Sequence, residues 1–178
     1  LKLLIAFMNE GYTGNQVIII KSFNDNEYIE ECIVSVLSQE NFKDLEVYII
    51  DDCSNDGTQS KILKYKKYFK SIELRDKNYG AINNNHDYNK ILNKYNSGYI
   101  SIISGDDYWP AKKTTIHQKV FSEYNIGLHF GLGKIVGTKK KLILPSRNIN
   151  KFNQSGFRNV NNKIYLSLIK NNYIPSFA

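Results

Sequence analysis

Residues 47–58 read Val47-Tyr48-Ile49-Ile50-Asp51-Asp52-Cys53-Ser54-Asn55-Asp56-Gly57-Thr58. An apolar, largely β-branched run enters two carboxylates and then turns through Asn, Asp and Gly. Such a run suits a strand buried on both faces, and Asp56-Gly57-Thr58 suits the start of a helix. The same pattern recurs on either side. Upstream, Val17-Ile18-Ile19-Ile20 reads as a buried strand and Asn24-Asp25-Asn26 as cap residues, while Ile29, Cys32, Ile33, Val36 and Leu37 form one apolar helical face. Downstream, Ile62, Lys66 and Phe69 fall at helical spacing with Leu63 and Tyr65 alongside, and Ile72–Leu74 reads as a third strand. Tyr88, Ile91, Leu92 and Tyr95 predict a helix closed by Gly98. Tyr99–Ile103 predicts a fourth strand, and Ile116, Val120, Phe121 and Tyr124 a last helix.

Strands alternating with helices predict an α/β domain: a mostly parallel, Rossmann-like sheet flanked by helices on both faces. Ligands of such sheets bind outside the carboxyl ends of the strands. That edge would carry Lys21-Ser22-Phe23-Asn24, the stretch from Asp51 to Thr58, Asn78 with Gly80, and Ser104-Gly105-Asp106-Asp107-Tyr108-Trp109. Adjacent carboxylates repel one another, so two acidic pairs on one edge call for a compensating cation or donor. Mg²⁺ or Mn²⁺ is the natural partner, because it bridges carboxylates to a diphosphate through oxygen ligands. Asp106 and Asp107 fit that role. Asp51 or Asp52 can accept hydrogen bonds from a base or ribose, and Phe23 is a candidate platform for a base.

The chain has 178 residues, 24 basic and 17 acidic, a formal charge of +7, and 42% hydrophobic residues. That is enough apolar material for one domain with a core, which excludes wholesale disorder. No apolar run approaches the roughly 20 residues of a membrane-spanning helix. Leu1–Met8 is too short for a signal peptide and no small-residue cleavage site follows. Cys32 and Cys53 make no disulfide framework, so a cytoplasmic setting is expected. The charge is uneven. Residues 1–107 hold 12 basic and 16 acidic residues, net −4, whereas 108–178 hold 12 basic residues and only Glu123, net +11.

The stretch Val17 to Asn24, then Tyr28 to Gln39, then Asp51 to Thr58, resembles the start of a family 2 glycosyltransferase. Asn78-Tyr79-Gly80, the strand Tyr99–Ile103 and Gly105-Asp106-Asp107-Tyr108-Trp109 look like that family's next landmarks in order. Gln118 suits its helix after the acidic motif, and Tyr165 to Pro175 is similar to its acceptor-side segment. The resemblance implies a GT-A fold, a nucleotide-sugar donor such as a UDP-sugar, and Mn²⁺ or Mg²⁺. Donor binding would fall to Ser22, Phe23, Asp51, Asp52, Asn78, Gly80 and Asp106, with Asp107 and Asp106 on the metal. The family usually has Pro or Thr where Lys21 stands, Gly where Cys53 stands, and Arg near Asn84 or Asn85.

An inverting enzyme of this family needs a general base for the acceptor hydroxyl. The only acid after the metal motif is Glu123, expected on a helix surface, so the base is expected beyond Ala178 and the chain is expected to be a fragment starting without Met. The organisation expected is an extension over 1–15, a donor-binding half over 16–125 and a basic acceptor-side segment over 126–178. Lys134, Lys139, Lys140, Lys141, Arg147 and Lys151 suit a glycan or lipid-linked acceptor at an anionic membrane face. Asn, Lys, Ile and Tyr richness suggests an AT-rich bacterial genome and surface-polysaccharide synthesis. A receiver domain is disfavoured because its acidic pair follows the first strand, a sugar nucleotidyltransferase because Lys21–Asn26 lacks a Gly- and Arg-rich loop, and a nucleic-acid partner because it leaves both acidic pairs unexplained.

Overall fold

The computed structural model describes residues 15–80, 83–95 and 98–123. Four strands form one parallel sheet: β1 (Asn15–Ser22), β2 (Leu45–Asp51), β3 (Ser71–Leu74) and β4 (Gly98–Ser104). Their spatial order is β3-β2-β1-β4, so β1 lies in the middle with β2 and β4 at its sides. Helices α1 (Ile29–Leu37), α2 (Thr58–Lys64), α3 (Asn84–Leu92) and α4 (Lys113–Glu123) connect or follow the strands. No helix among these residues is long and apolar enough to cross a membrane.

The β-branched runs form the centre because both of their faces are covered. Ile18 pairs with Val47 and Ile20 with Ile49, and these side chains pack with Ile29, Cys32, Ile33 and Val36 of α1 and Ile62 of α2. The alternate residues Val17, Ile19, Tyr48 and Ile50 pack on the opposite face against Ile91 of α3. Ile18, Ile19 and Ile20 are 0% exposed, and each such side chain stabilises the fold by about 1.5–3 kcal/mol. The α/β architecture expected from the sequence is therefore present, with helices on both faces.

Four local expectations need correction. Asn24–Asn26 do not cap α1, whose N-cap is Tyr28 without a side-chain hydrogen bond. The helix after β2 stops at Lys64 and continues as a short 3₁₀ turn, Lys66–Tyr68, leaving Leu63 exposed. Gly98 closes no helix; α3 ends at Leu92, and Gly98 opens β4 with a φ of 144°. In α4 the inward residues are Thr114 and His117, while Ile116 is exposed. Tyr124 and the basic segment 126–178 lie outside the described residues, as does the 1–14 part of the extension.

Candidate donor-binding edge

Because every strand runs the same way, the loops after β1, β2 and β4 emerge on one edge. The first two are joined to each other. Asn24, held at a φ of 56°, donates its N–H to Ser54 Oγ at 2.8 Å and accepts from Asn55 N–H at 3.1 Å. The Asn26 N–H reaches Asp56 at 3.0 Å, and the Asp52 N–H donates to the Ser22 carbonyl at 2.8 Å. These bonds, not helix capping, are what the polar Asn24–Asn26 run provides.

Asp51 is fully buried, and its carboxylate accepts from Ser54 N–H at 2.9 Å, Ser54 Oγ at 2.5 Å and Gln59 Nε2 at 2.7 Å. It is spent on its own loop. Asp52 accepts from Arg75 Nη1 at 3.0 Å, from the Tyr79 N–H at 3.1 Å and from the Gly80 N–H at 2.7 Å. The Tyr79 N–H also reaches the second oxygen at 3.2 Å, so these contacts occupy the roughly four acceptor positions of the carboxylate. Burial alone would raise the Asp52 carboxyl, but the Tyr79 N–H, Arg75 and the Gly80 N–H hold it below the usual carboxylate range. Gly80 adopts a φ of 66°, the left-handed turn that aims its N–H at Asp52. Asn78 is exposed beside it.

Phe23 is 47% exposed at the end of β1, although a large apolar ring is ordinarily buried. Ser22, by contrast, is buried and meets the second loop through its carbonyl.

The loop after β4 is pinned by its backbone and by Trp109. The Gly105 N–H donates to the Lys21 carbonyl at 2.7 Å, and the buried Trp109 donates its N–H to Ser35 Oγ at 3.1 Å. A Cβ on Gly105 would overlap the Asp25 carboxylate. Among the described residues, neither the Asp106 nor the Asp107 carboxylate receives a hydrogen bond. Burial pushes the Asp107 carboxyl up, Asp106 pushes it further, and Lys113 only partly offsets them. Burial also raises the Asp25 carboxyl, and Asp106 and Asp56 add to the shift. Sequence reasoning missed Asp25 as a third carboxylate here, because it read the residue as a helix cap. It also missed Arg75 and Asp87, which carry no periodic signal.

The Asp106–Asp107 pair fits a divalent cation by its donor chemistry: two adjacent oxygen ligands, one exposed and one half-buried, whose charge Lys113 offsets only in part. Among the described residues no group of three or more His, Cys, Asp or Glu side chains could hold a metal unaided. Mg²⁺ commonly takes only one or two carboxylates and completes its shell with water and substrate phosphate. Gln118 turns away to accept from Asn41 at 3.2 Å, and Glu123 pairs with Lys119 at 3.7 Å on the outside of α4.

The sheet order and the solved structures this chain resembles define an α/β fold of the GT-A type. S. aureus TarS residues 1–349, solved in complex with UDP-GlcNAc, superposes with a TM-score of 0.59 at 21% identity, covering 72% of this chain and 37% of that one. Residues 17–172 match the family model described as glycosyl transferase family 2. The chain belongs to that family. Among curated relatives, TuaG of Bacillus subtilis, named for a glycosyltransferase of teichuronic acid biosynthesis, is 34% identical over 98 residues, 54% of this chain and 37% of its own length. WfgD of Escherichia coli, a UDP-Glc:α-D-GlcNAc-diphosphoundecaprenol β-1,3-glucosyltransferase, is 30% identical over 136 residues, 73% of this chain and 51% of its own length. The chain thus spans between about a third and a half of these relatives.

Proposed function

We propose that this chain binds the nucleotide-diphosphate sugar of a bacterial glycosyltransferase, a UDP-sugar, at the edge formed by Phe23, Asp52, Asn78, Gly80 and Asp106. The observation that carries this reading is the Asp106–Asp107 pair just after β4, which receives no hydrogen bond among the described residues and which Lys113 offsets only in part, since a bound cation would relieve the repulsion between the two carboxylates. Asp107, with Asp106, would hold Mn²⁺ or Mg²⁺. When bound, that cation supplies neutralisation of the diphosphate that leaves as the sugar is transferred.

The chain's own residues do the rest. Phe23 offers its exposed ring to the base, and Asp52, which keeps a small exposure where Asp51 has none, lies beside the Tyr79–Gly80 backbone that would border the base or ribose. Asp51 is assigned to the loop rather than to the donor, because its oxygens are already engaged. Ser22 contributes by joining the two loops through its carbonyl. No described carboxylate is assigned as the general base, since Glu123 faces outward.

Two relatives support the wider setting. TuaG is named for teichuronic acid biosynthesis and WfgD for a diphosphoundecaprenol-linked acceptor. A glycan or lipid-linked acceptor in surface-polysaccharide synthesis suits this chain too, with the basic residues after 108 facing an anionic membrane from the cytoplasmic side. The reading is tested by thermal melting with a panel of nucleotide-sugars. At least one should raise the melting temperature with Mn²⁺ and fail to do so with EDTA. A panel without effect in Mn²⁺ would refute the donor site.

A further inference from the structure

Four buried charges from four separate segments join beneath the edge, and the donor reading uses only one of them. Lys21, near the end of β1, places Nζ 2.6 Å from Asp87 Oδ2 on α3, with side chains 14% and 1% exposed. The other Asp87 oxygen accepts from the Arg75 guanidinium, and Asn83 adds a longer contact at 3.4 Å. Arg75, 7% exposed, also donates to Asp52 at 3.0 Å and to Glu73 at 3.0 Å, while Lys90 meets the far Glu73 oxygen at 3.0 Å. Three cations and three carboxylates balance. Asp52 then fixes the Tyr79 and Gly80 N–H groups.

Arg75 is not confined by packing alone. A cavity of about 450 Å³, lined by Glu73, Arg75, Tyr79, His86, Asp87 and Lys90 among others, opens beside it. The Tyr79 ring lies 5.1 Å from the guanidinium carbon, and within the guanidinium plane the orientation is set by the fixed carboxylate acceptors. Asp87, the most buried of these acceptors, is itself held on its second oxygen by Lys21.

We propose that Asp87 is a positioning residue of the donor site: by orienting Arg75 it fixes the Asp52 carboxylate, and with it the Tyr79–Gly80 backbone at the edge. The inference rests on the donor reading for its ligand, though not for its geometry. Removing the Asp87 charge alone strands Lys21, so stability falls for a trivial reason. Removing both charges separates folding from positioning.

The experiment compares the chain with Asp87→Asn and with Lys21→Met/Asp87→Asn. Its readouts are melting temperature, UDP binding in Mn²⁺ and hydrogen exchange at single amides. Asp87→Asn should weaken UDP binding about tenfold, the scale of one lost hydrogen bond between charged groups. It should also speed exchange at Tyr79 and Gly80 while Ile33 and Val36 of α1 stay protected. The double variant should regain melting temperature but neither UDP affinity nor protection at Tyr79 and Gly80. Recovery of affinity and protection together with stability would overturn the proposal, as would unchanged binding and exchange in Asp87→Asn. If the unaltered chain binds no UDP, the donor reading falls by itself, and the exchange rates at Tyr79 and Gly80 alone decide the positioning role.

Discussion

Asp51 and Asp52 end β2 with their charge absorbed by Ser54, Gln59, Arg75 and two backbone N–H groups, whereas Asp106 and Asp107 end β4 with no hydrogen-bond donor among the described residues. The same dipeptide, on the same edge of one sheet, is tied into its own fold in the first case, while in the second Asp106 is exposed and Asp107 half-buried without a hydrogen-bond donor among the described residues. The difference lies in what the neighbouring segments supply. The first pair has the loop after β1, Arg75 and the Tyr79–Gly80 turn around it. The second has Asp25 beside it and only Lys113 to offset its charge. Two adjacent acids in a sequence therefore say little until their partners are known.

The largest test of the contrast is Arg75→Met, which leaves Asp52 and Asp87 short of their shared cation. Breaking a buried ion pair from one side costs about 3–5 kcal/mol, read as a lower midpoint in chemical denaturation. A loss below about 1 kcal/mol, the scale of exposed pairs, would show that the first pair needs no such compensation. Gly105→Ala should come next, costing about 1–3 kcal/mol through overpacking, because its Cβ meets the Asp25 carboxylate. Asp25→Ala in the same chain should return most of that loss; equal loss with and without Asp25 would remove the clash as its cause.

pH should divide the pairs by sign. Asp52 is held below its ordinary value of 3.8, so its contribution is present above that pH and lost as pH falls through the lowered folded value. Asp107 is raised above the same ordinary value, so its contribution is present below about that pH and lost as pH rises through the folded value. Without metal at neutral pH, Asp52→Asn should lower the melting temperature and Asp107→Asn should leave it unchanged or raise it. A drop for both would erase the contrast. The smallest expected effect is at Cys53, whose φ of 70° suits glycine. Cys53→Gly relieves a left-handed residue but frees the unfolded chain, for a net gain under about 1 kcal/mol, visible in melting.

The sheet was legible because strands buried on both faces must be apolar without interruption, as Val17–Ile20 and Val47–Ile50 are. The α1 face was legible because Ile29, Cys32, Ile33 and Val36 repeat with the helical period. Helix α4 was read in part: Phe121 stacks on the buried Tyr99, but Ile116 is exposed, and the inward Thr114 is buried through hydrogen bonds to Gln39 Oε1 at 3.0 Å, which apolar periodicity cannot register. In the candidate site, the acidic pairs were visible as residues but their opposite states were not. Those states depend on Arg75, Asp87 and Asp25, which lie distant in sequence from the carboxylates they compensate or crowd.

In the proposed donor site the Asp106–Asp107 charge is reserved for a cation shared with a diphosphate. Calorimetric titration of UDP into the chain and into Asp107→Asn, each in Mn²⁺ and in EDTA, tests it directly. Binding should be tight only for the unaltered chain in Mn²⁺, with both proteins equally weak in EDTA. Equal binding by both proteins in Mn²⁺ would contradict it.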